Sequence, residues 1–232
     1  MLQKGSNIVP DPQQPCYTFL MEIRGFRDTI KWYDNNAEQY GENSKRVSFE
    51  KVVDGFLDKL PTSPAVIDAG CGAGRDTKVF HDKGVNVVGI DISEGLLEVA
   101  RRENPDITFI AADFTDLPLE DQSFDGVWSH ASLVHLETIE EVGKALSEFS
   151  RVLKPGGFLY VYVKEQQGEE KTAIVSDSLS GHERFFRYYE PEEFTELLGK
   201  AGFIVCDFEF KEDPHGRTEV RWLQAVVQKP AK

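Results

Sequence analysis

The chain has 232 residues, of which 40% are hydrophobic and 28% charged, the composition of a soluble globule large enough for one α/β domain and a modest attachment. Forty acids against 26 bases leave a formal charge of -14, which argues against a substrate gripped through its phosphate backbone and against docking on anionic lipid. Cys16, Cys71 and Cys206 lie far apart with no CxxC spacing, so neither a metal site nor a disulfide framework is expected. There is no signal-peptide pattern and no apolar run of transmembrane length, and the expected address is the cytoplasm.

In chain order, residues 1–15 carry Pro10, Pro12 and Pro15 among polar side chains and read as a flexible tail. Residues 16–232 read as a single domain. A short helix is expected from Asp28 to Tyr40, stopped by Gly41, and a stronger one from Phe49 to Leu60, where Val52, Val53, Phe56 and Leu57 recur at helical spacing before Pro61. Strands and helices then alternate. The strands are Ala65–Ala69, Asn86–Ile90, Ile107–Ala111, Phe124–Ser129 and Phe158–Val163. Between them, Ser93 is placed to cap one helix, and Thr138 with Glu141 forms a capping box on another. A polar connector follows, then a helix opened by Pro191 and two strands around Phe203–Phe210 and Val220–Gln228, joined too tightly for a helical crossover. The expected fold is α/β: a Rossmann-like, doubly wound, seven-stranded sheet, mostly parallel, with an antiparallel C-terminal pair.

The chemistry concentrates where the first strand ends. Asp68 is followed by Gly70, Cys71, Gly72 and Gly74, and Asp91 closes the second strand seventeen residues later. Glycines let the backbone turn sharply and approach a ligand without a Cβ in the way. A strand, a glycine-rich turn, a helix and a second strand ending in a carboxylate make a half-site for an adenosine-bearing cofactor. The dinucleotide fingerprint needs a third glycine where Arg75 stands, so the loop is one residue short for a pyrophosphate.

With these pieces in place, the chain resembles the class I S-adenosylmethionine-dependent methyltransferases. The matching segments are Val66–Gly74, Val88–Ser93, Ala111–Phe114 with Leu117-Pro118, Phe124–Ser129 and Arg151–Phe158. They come in the family's order and cover about positions 64–164. The resemblance implies S-adenosyl-L-methionine as cofactor, with S-adenosyl-L-homocysteine as its product. The loop from Asp68 through Gly70, Cys71, Gly72 and Gly74 would pass under the methionine moiety. Asp91 would take both ribose hydroxyls, Ile92 would pack on the adenine, Asp113 would take the adenine amino group and Phe114 would flank the ring; alternatively Asp113 caps a turn and Phe114 belongs to the core. Ser129 and His130 would sit beside the transferring methyl. The segment Tyr33–Tyr40 resembles a helical flap, spanning about 26–60, in which Tyr40 closes over the cofactor.

Methyl transfer from a sulfonium can draw much of its acceleration from proximity and orientation, and a base is needed only for a protonated nucleophile. His130 and His135, just after the fourth strand, are the candidates; alternatively His130 only lines the cofactor site and His135 only caps the approach to the next helix. The connector at about 164–190 is expected to form the roof over a small-molecule acceptor. There Arg184 or Arg187 would hold an anionic group, and Phe186 and Tyr189 a ring or alkyl body; the alternative is a strand packed on the sheet. Nucleic-acid amine methyltransferases usually carry an N/D-P-P-Y/F signature where this chain has Ser129-His130-Ala131-Ser132. Expected are a small-molecule acceptor, no nucleic acid, no membrane and no metal. The readings to be separated are methyl transfer to an oxygen, nitrogen or carbon atom, NAD-dependent oxidoreduction, and cofactor binding without chemistry.

Overall fold

The structure, a computed structural model, describes residues 25–176 and 183–231; the tail at 1–15 and His182 lie outside them. Helices α1 (Phe26–Asn35), α2 (Ala37–Ser44) and α3 (Glu50–Leu57) precede the sheet. Then come β1 (Ala65–Ala69), α4 (Arg75–Asp82), β2 (Asn86–Asp91), α5 (Glu94–Glu103), β3 (Thr108–Ala111) and β4 (Phe124–His130). A 3₁₀ turn at Leu133–His135 leads into α6 (Ile139–Val152) and β5 (Leu153–Lys164). A hairpin of β6 (Thr172–Ser176) and β7 (Glu183–Arg187) is followed by α7 (Pro191–Lys200), β8 (Ile204–Glu212) and β9 (Arg221–Gln228).

The main sheet has seven strands in the order β3-β2-β1-β4-β5-β9-β8. The first five run parallel, while β9 pairs antiparallel with both β5 and β8. The expected fold class is the observed one. A reversal of strand order between β1 and β4 opens a crevice at their carboxyl ends, the general ligand position in such sheets. The parallel strands are buried on both faces, which is why they read as nearly continuous apolar runs. At the centre, the rings of Trp128 and Tyr160 stack 3.8 Å apart, with Phe80 packed edge-on and Phe56 tilted against Trp128.

Both caps read from sequence are formed. Ser93 Oγ accepts the Leu96 amide, and Thr138 and Glu141 bond reciprocally. Two expectations need correction. The helix expected to run from Asp28 to Tyr40 breaks at Asn36, whose side-chain amide donates to the Trp32 carbonyl at 2.8 Å and so competes with helix continuation. Gly41 does not stop a helix but lies inside α2, where a Cβ would stand 3.2 Å from that of Ala73; it permits close approach. The polar connector contains a real hairpin, in which Phe185 faces Ile174 and Phe186 faces Ala173.

Two glycines give a paired test of this packing. A Cβ on Gly89 would lie 2.5 Å from the Phe109 ring and 3.0 Å from Cys71 Sγ, whereas one on Gly143 in α6 would meet nothing within 4 Å. Gly89→Ala is expected to destabilise by about 1–3 kcal/mol through overpacking, and Gly143→Ala to stabilise by roughly 0.5–1 kcal/mol through helix propensity. Urea unfolding of both variants checks the two signs.

Candidate functional site

The crevice is built around the turn that leaves β1. The amides of Gly70 and Cys71 both donate to the Ile90 carbonyl, at 2.7 and 2.9 Å, which ties the loop to the end of β2. Gly70, Gly72 and Gly74 have φ of 81, 55 and 82°, the left-handed region that glycine enters without strain. Gly72 then turns its amide onto Asp91 Oδ2 at 2.8 Å, while the Ser93 amide binds Asp91 Oδ1 at 2.9 Å. Each carboxylate oxygen receives one backbone donor and keeps further acceptor capacity. Burial pushes the Asp91 carboxyl up from its usual range, and the Ser93 and Gly72 amides pull against that shift.

Behind the loop lies a cluster of buried charge. Asp76 receives Arg75 through both oxygens, at 2.6 and 2.9 Å, and the Trp128 indole at 3.0 Å. Burial opposes its charge, yet the Arg75 guanidinium holds Asp76 below the ordinary carboxylate range. Asp68, which accepts the Thr77 hydroxyl at 2.6 Å, is pushed up to about 8 by burial and by the neighbouring Asp76 charge. Burial and the Asp76 charge thus favour the protonated form of Asp68.

A cavity of about 900 Å³ opens from the glycine loop across the carboxyl ends of β4 and β5. Its walls include Tyr33, Tyr40, Phe49, His130, His135, Tyr162, Lys164, Arg184, Phe186 and Trp222, along with Asp68, Gly70, Cys71 and Gly72. Tyr40 lies over the loop, with a ring carbon 3.7 Å from where a Gly72 Cβ would be. Helix α1 is fixed to the start of α5 by Asp34, whose Oδ1 accepts the Ser93 hydroxyl at 2.6 Å and the Gly95 amide at 3.1 Å.

The other sequence candidates separate into groups. Asp91, Ile92, Asp113 and Phe114 stand on the β2–β3 side, outside the cavity wall; Ile92 is 36% exposed, and Phe114 is buried against Phe149. Asp113 Oδ1 accepts both the amide and the hydroxyl of Thr115, at 2.8 Å each, leaving its other oxygen outside those bonds. Gly74 is tight against the Phe109 ring, and Ser129 is fully buried with its hydroxyl 2.7 Å from that of Ser132. Arg184 and Phe186 reach the cavity. Arg187 and Tyr189 do not: Arg187 donates to the carbonyls of Leu136 and Glu137, and Tyr189 donates to Leu133 at 2.8 Å, so both brace the roof from behind. Sequence reasoning passed over Phe49 and Lys164. Phe49 packs its ring 4.1 Å from that of His130, and Lys164 sets its ammonium 3.4 Å from the centre of the Phe186 ring. The alternating aromatics of β5, which end at Lys164, were the available signal for Lys164; Phe49, just ahead of α3, carried none.

His130 and His135 both face the cavity, and burial lowers each to about 3. His130 Nδ1 lies 3.6 Å from Asp76 Oδ2 without a hydrogen bond. His135 is bonded through both nitrogens, Nδ1 to the Phe185 carbonyl at 2.8 Å and Nε2 to the Tyr33 hydroxyl at 3.0 Å.

The fold, the carboxylate held at the tip of β2 and the adjoining chamber together define a crevice of the adenosine-cofactor type. Comparison with known proteins gives the family. A profile described as a methyltransferase domain matches residues 67–161. The chain is 31% identical over 237 residues to the ubiquinone/menaquinone biosynthesis C-methyltransferase of Campylobacter jejuni, a match covering 89% of this chain and 93% of that protein. It is 45% identical over 138 residues to a demethylmenaquinone methyltransferase of Renibacterium salmoninarum, covering 59% of this chain and 55% of the other. The chain thus spans about half the length of the demethylmenaquinone methyltransferases it matches. Among solved structures, the Burkholderia thailandensis 1,6-didemethyltoxoflavin-N1-methyltransferase superposes with a TM-score of 0.68 at 21% identity, over 96% of this chain and 93% of that one. The chain belongs to the class I S-adenosylmethionine-dependent methyltransferase family.

The lowered histidines make a stability prediction. Each imidazole binds its proton far less readily folded than unfolded, so below about pH 6.5 the unfolded chain takes up more protons. Their contribution is complete above that pH and is lost as pH falls toward 3. Asp68 has the opposite sign, its share fading as pH rises toward 8. His130→Phe, which keeps the ring contacts, is expected to lose about 1–2 kcal/mol less than the unaltered chain between pH 7 and pH 5. Urea unfolding at the two pH values measures the difference, and equal losses would contradict it.

Proposed function

We propose that this chain transfers a methyl group from S-adenosyl-L-methionine to a small molecule, at an oxygen, nitrogen or carbon atom associated with a hydroxylated ring. The observation that carries this reading is the Asp91 carboxylate, held by the Gly72 and Ser93 amides with acceptor capacity to spare, beside a chamber lined by aromatics and by Lys164 and Arg184. The donor set fits the cofactor. Asp91 would receive the ribose diol, the Gly70–Gly74 loop with Asp68 and Cys71 would lie under the methionine moiety, and Tyr40 would close over it. Ile92, Asp113 and Phe114 would take the adenine on the side away from the chamber, with Ser129 and His130 backing the reacting end. The cofactor supplies an electrophilic methyl on a sulfonium; the chain orients the acceptor and excludes water.

The acceptor reading draws on relatives named for demethylmenaquinone and for ubiquinone/menaquinone biosynthesis. Aromatic walls with Lys164 and Arg184 set against their rings suit a flat ring carrying oxygen substituents. Arg184 and Phe186 are the residues we assign to it. Membership of the methyltransferase family sets aside the oxidoreductase reading. We read residues 16–232 as one catalytic unit, with α1–α3 as flap and about 164–190 as acceptor roof. Among the described residues no helix is long and apolar enough to cross a membrane, and we place the chain in the cytoplasm.

Calorimetry with S-adenosylhomocysteine tests the site. Binding is expected for the unaltered chain, and Asp91→Ala should weaken it by about 1.5–3 kcal/mol, the value of hydrogen bonds to a charged group. Unchanged affinity would remove Asp91 from the ribose role.

A further inference from the structure

A chain of hydrogen bonds whose direction can be deduced runs along the chamber wall between α1, the turn after β4 and β7. The Phe185 carbonyl can only accept, so His135 Nδ1, 2.8 Å away, must carry the ring's proton. A neutral imidazole has one proton, so Nε2 presents a lone pair, and the Tyr33 hydroxyl 3.0 Å away must donate to it. Burial keeps His135 neutral, which agrees with that assignment. Arg184 has no acceptor, so its guanidinium donates to the Tyr33 oxygen, at 3.0 Å. One lone pair of Tyr33 is thereby used. The remaining one belongs to a residue on the cavity wall.

We propose that Tyr33 takes the proton of the acceptor's ring hydroxyl and passes its own to His135, so that the residue in contact with the acceptor is a tyrosine of the flap rather than either histidine. Tyr33 is the catalytic residue and His135 a positioning and relay residue acting through it. The inference rests on the methyl-transfer reading, because it makes the chamber the acceptor's place. As the acceptor's O–H bond breaks, its proton goes to the Tyr33 oxygen while the Tyr33 proton moves to His135 Nε2. The result is a neutral tyrosine and an imidazolium whose Nδ1–H stays on the Phe185 carbonyl. The electron pair left on the acceptor, at oxygen or delocalised onto the ring carbon, forms the new bond to the methyl carbon; where carbon attacks, its C–H proton is then lost to water and the carbonyl oxygen regains a proton, restoring the aromatic hydroxyl. The carbon–sulfur pair returns to sulfur, which ends as a neutral thioether. Arg184 stabilises negative charge on either oxygen during the exchange.

The relay is assembled from three elements: Tyr33 from α1, His135 from the turn after β4, and Phe185 with Arg184 from β7. A purely mechanical purpose is already met by other bonds. The flap is latched to β7 by the Phe185 amide donating to Thr29 Oγ1 at 2.9 Å, and to the start of α5 by Asp34. The Tyr33–His135 bond therefore adds a directed hydroxyl inside the chamber rather than the closure itself.

Nitrogen-15 NMR of the full chain reads the relay without any ligand. At pH 7 the His135 ring, assigned by its disappearance in His135→Gln, is expected to be protonated at Nδ1 and bare at Nε2, and Tyr33→Phe should shift the Nε2 resonance alone. Turnover uses S-adenosylmethionine with 1,4-naphthalenediol as acceptor. Tyr33→Phe is expected to lower kcat at least 100-fold with S-adenosylhomocysteine affinity and the diol KM changed less than threefold, and the double variant with His135→Gln to be no slower. Protonation at Nε2, a Tyr33→Phe rate within threefold of the unaltered chain, or no methylation of the diol by unaltered chain that binds S-adenosylhomocysteine would each overturn the proposal. Failure to bind S-adenosylhomocysteine at all would instead defeat the reading on which it rests.

Discussion

Two backbone amides converging on one half-buried carboxylate hold this site together. Gly72 reaches Asp91 from the loop after β1, and Ser93 reaches it from the turn that starts α5. Neither amide could make that bond if the chain left its strand differently. Gly70 and Gly72 must take left-handed backbone, and Ile90 must hold the Gly70 and Cys71 amides. From Ser93 the connection continues, because its hydroxyl donates to Asp34 and so seats the flap. Loop, strand tip, helix cap and flap are thus one hydrogen-bonded series centred on a single side chain. The cost of burying Asp91 is offset by backbone donors rather than by a cation, which leaves the carboxylate able to receive hydroxyl groups.

The electrostatics around this series divide the crevice by function. On the inner side, Asp76 is paired with Arg75, and burial with the Asp76 charge pushes Asp68 toward its protonated form, which reduces the negative charge below the loop. On the chamber side, two histidines are kept neutral by burial, while Lys164 and Arg184 supply positive charge over aromatic rings. A sulfonium donor carries positive charge that it loses on transfer, and an ionising ring hydroxyl gains negative charge. With a ring-hydroxyl acceptor in the chamber, as proposed, these cations would favour its ionisation.

The central sheet and the glycine turn were legible because their signals are local. β-branched runs, the Ser93 and Thr138 caps and the alternate glycines each speak within about ten residues, and the antiparallel ending followed from a short link. The break at Asn36 was missed because it depends on one side chain choosing the Trp32 carbonyl over solvent. For the segment of β7 a strand was only the alternative to an acceptor roof, because the sequence does not show its pairing partner in β6. Arg187 and Tyr189 looked like acceptor ligands from their interleaved pattern. Only the three-dimensional structure shows them satisfying the carbonyls of Leu133, Leu136 and Glu137, about fifty residues upstream. The Tyr33–His135 bond joins positions 102 residues apart, and nothing in the spacing of either announces the other.

The most direct trial of this account is a crystal structure of the chain with S-adenosylhomocysteine bound. The account predicts the ribose hydroxyls on Asp91, with Gly72 and Ser93 still donating to it, and the thioether sulfur directed into the chamber toward Tyr33 and Arg184. A nucleoside seated away from Asp91, or a sulfur turned outward to solvent, would contradict it.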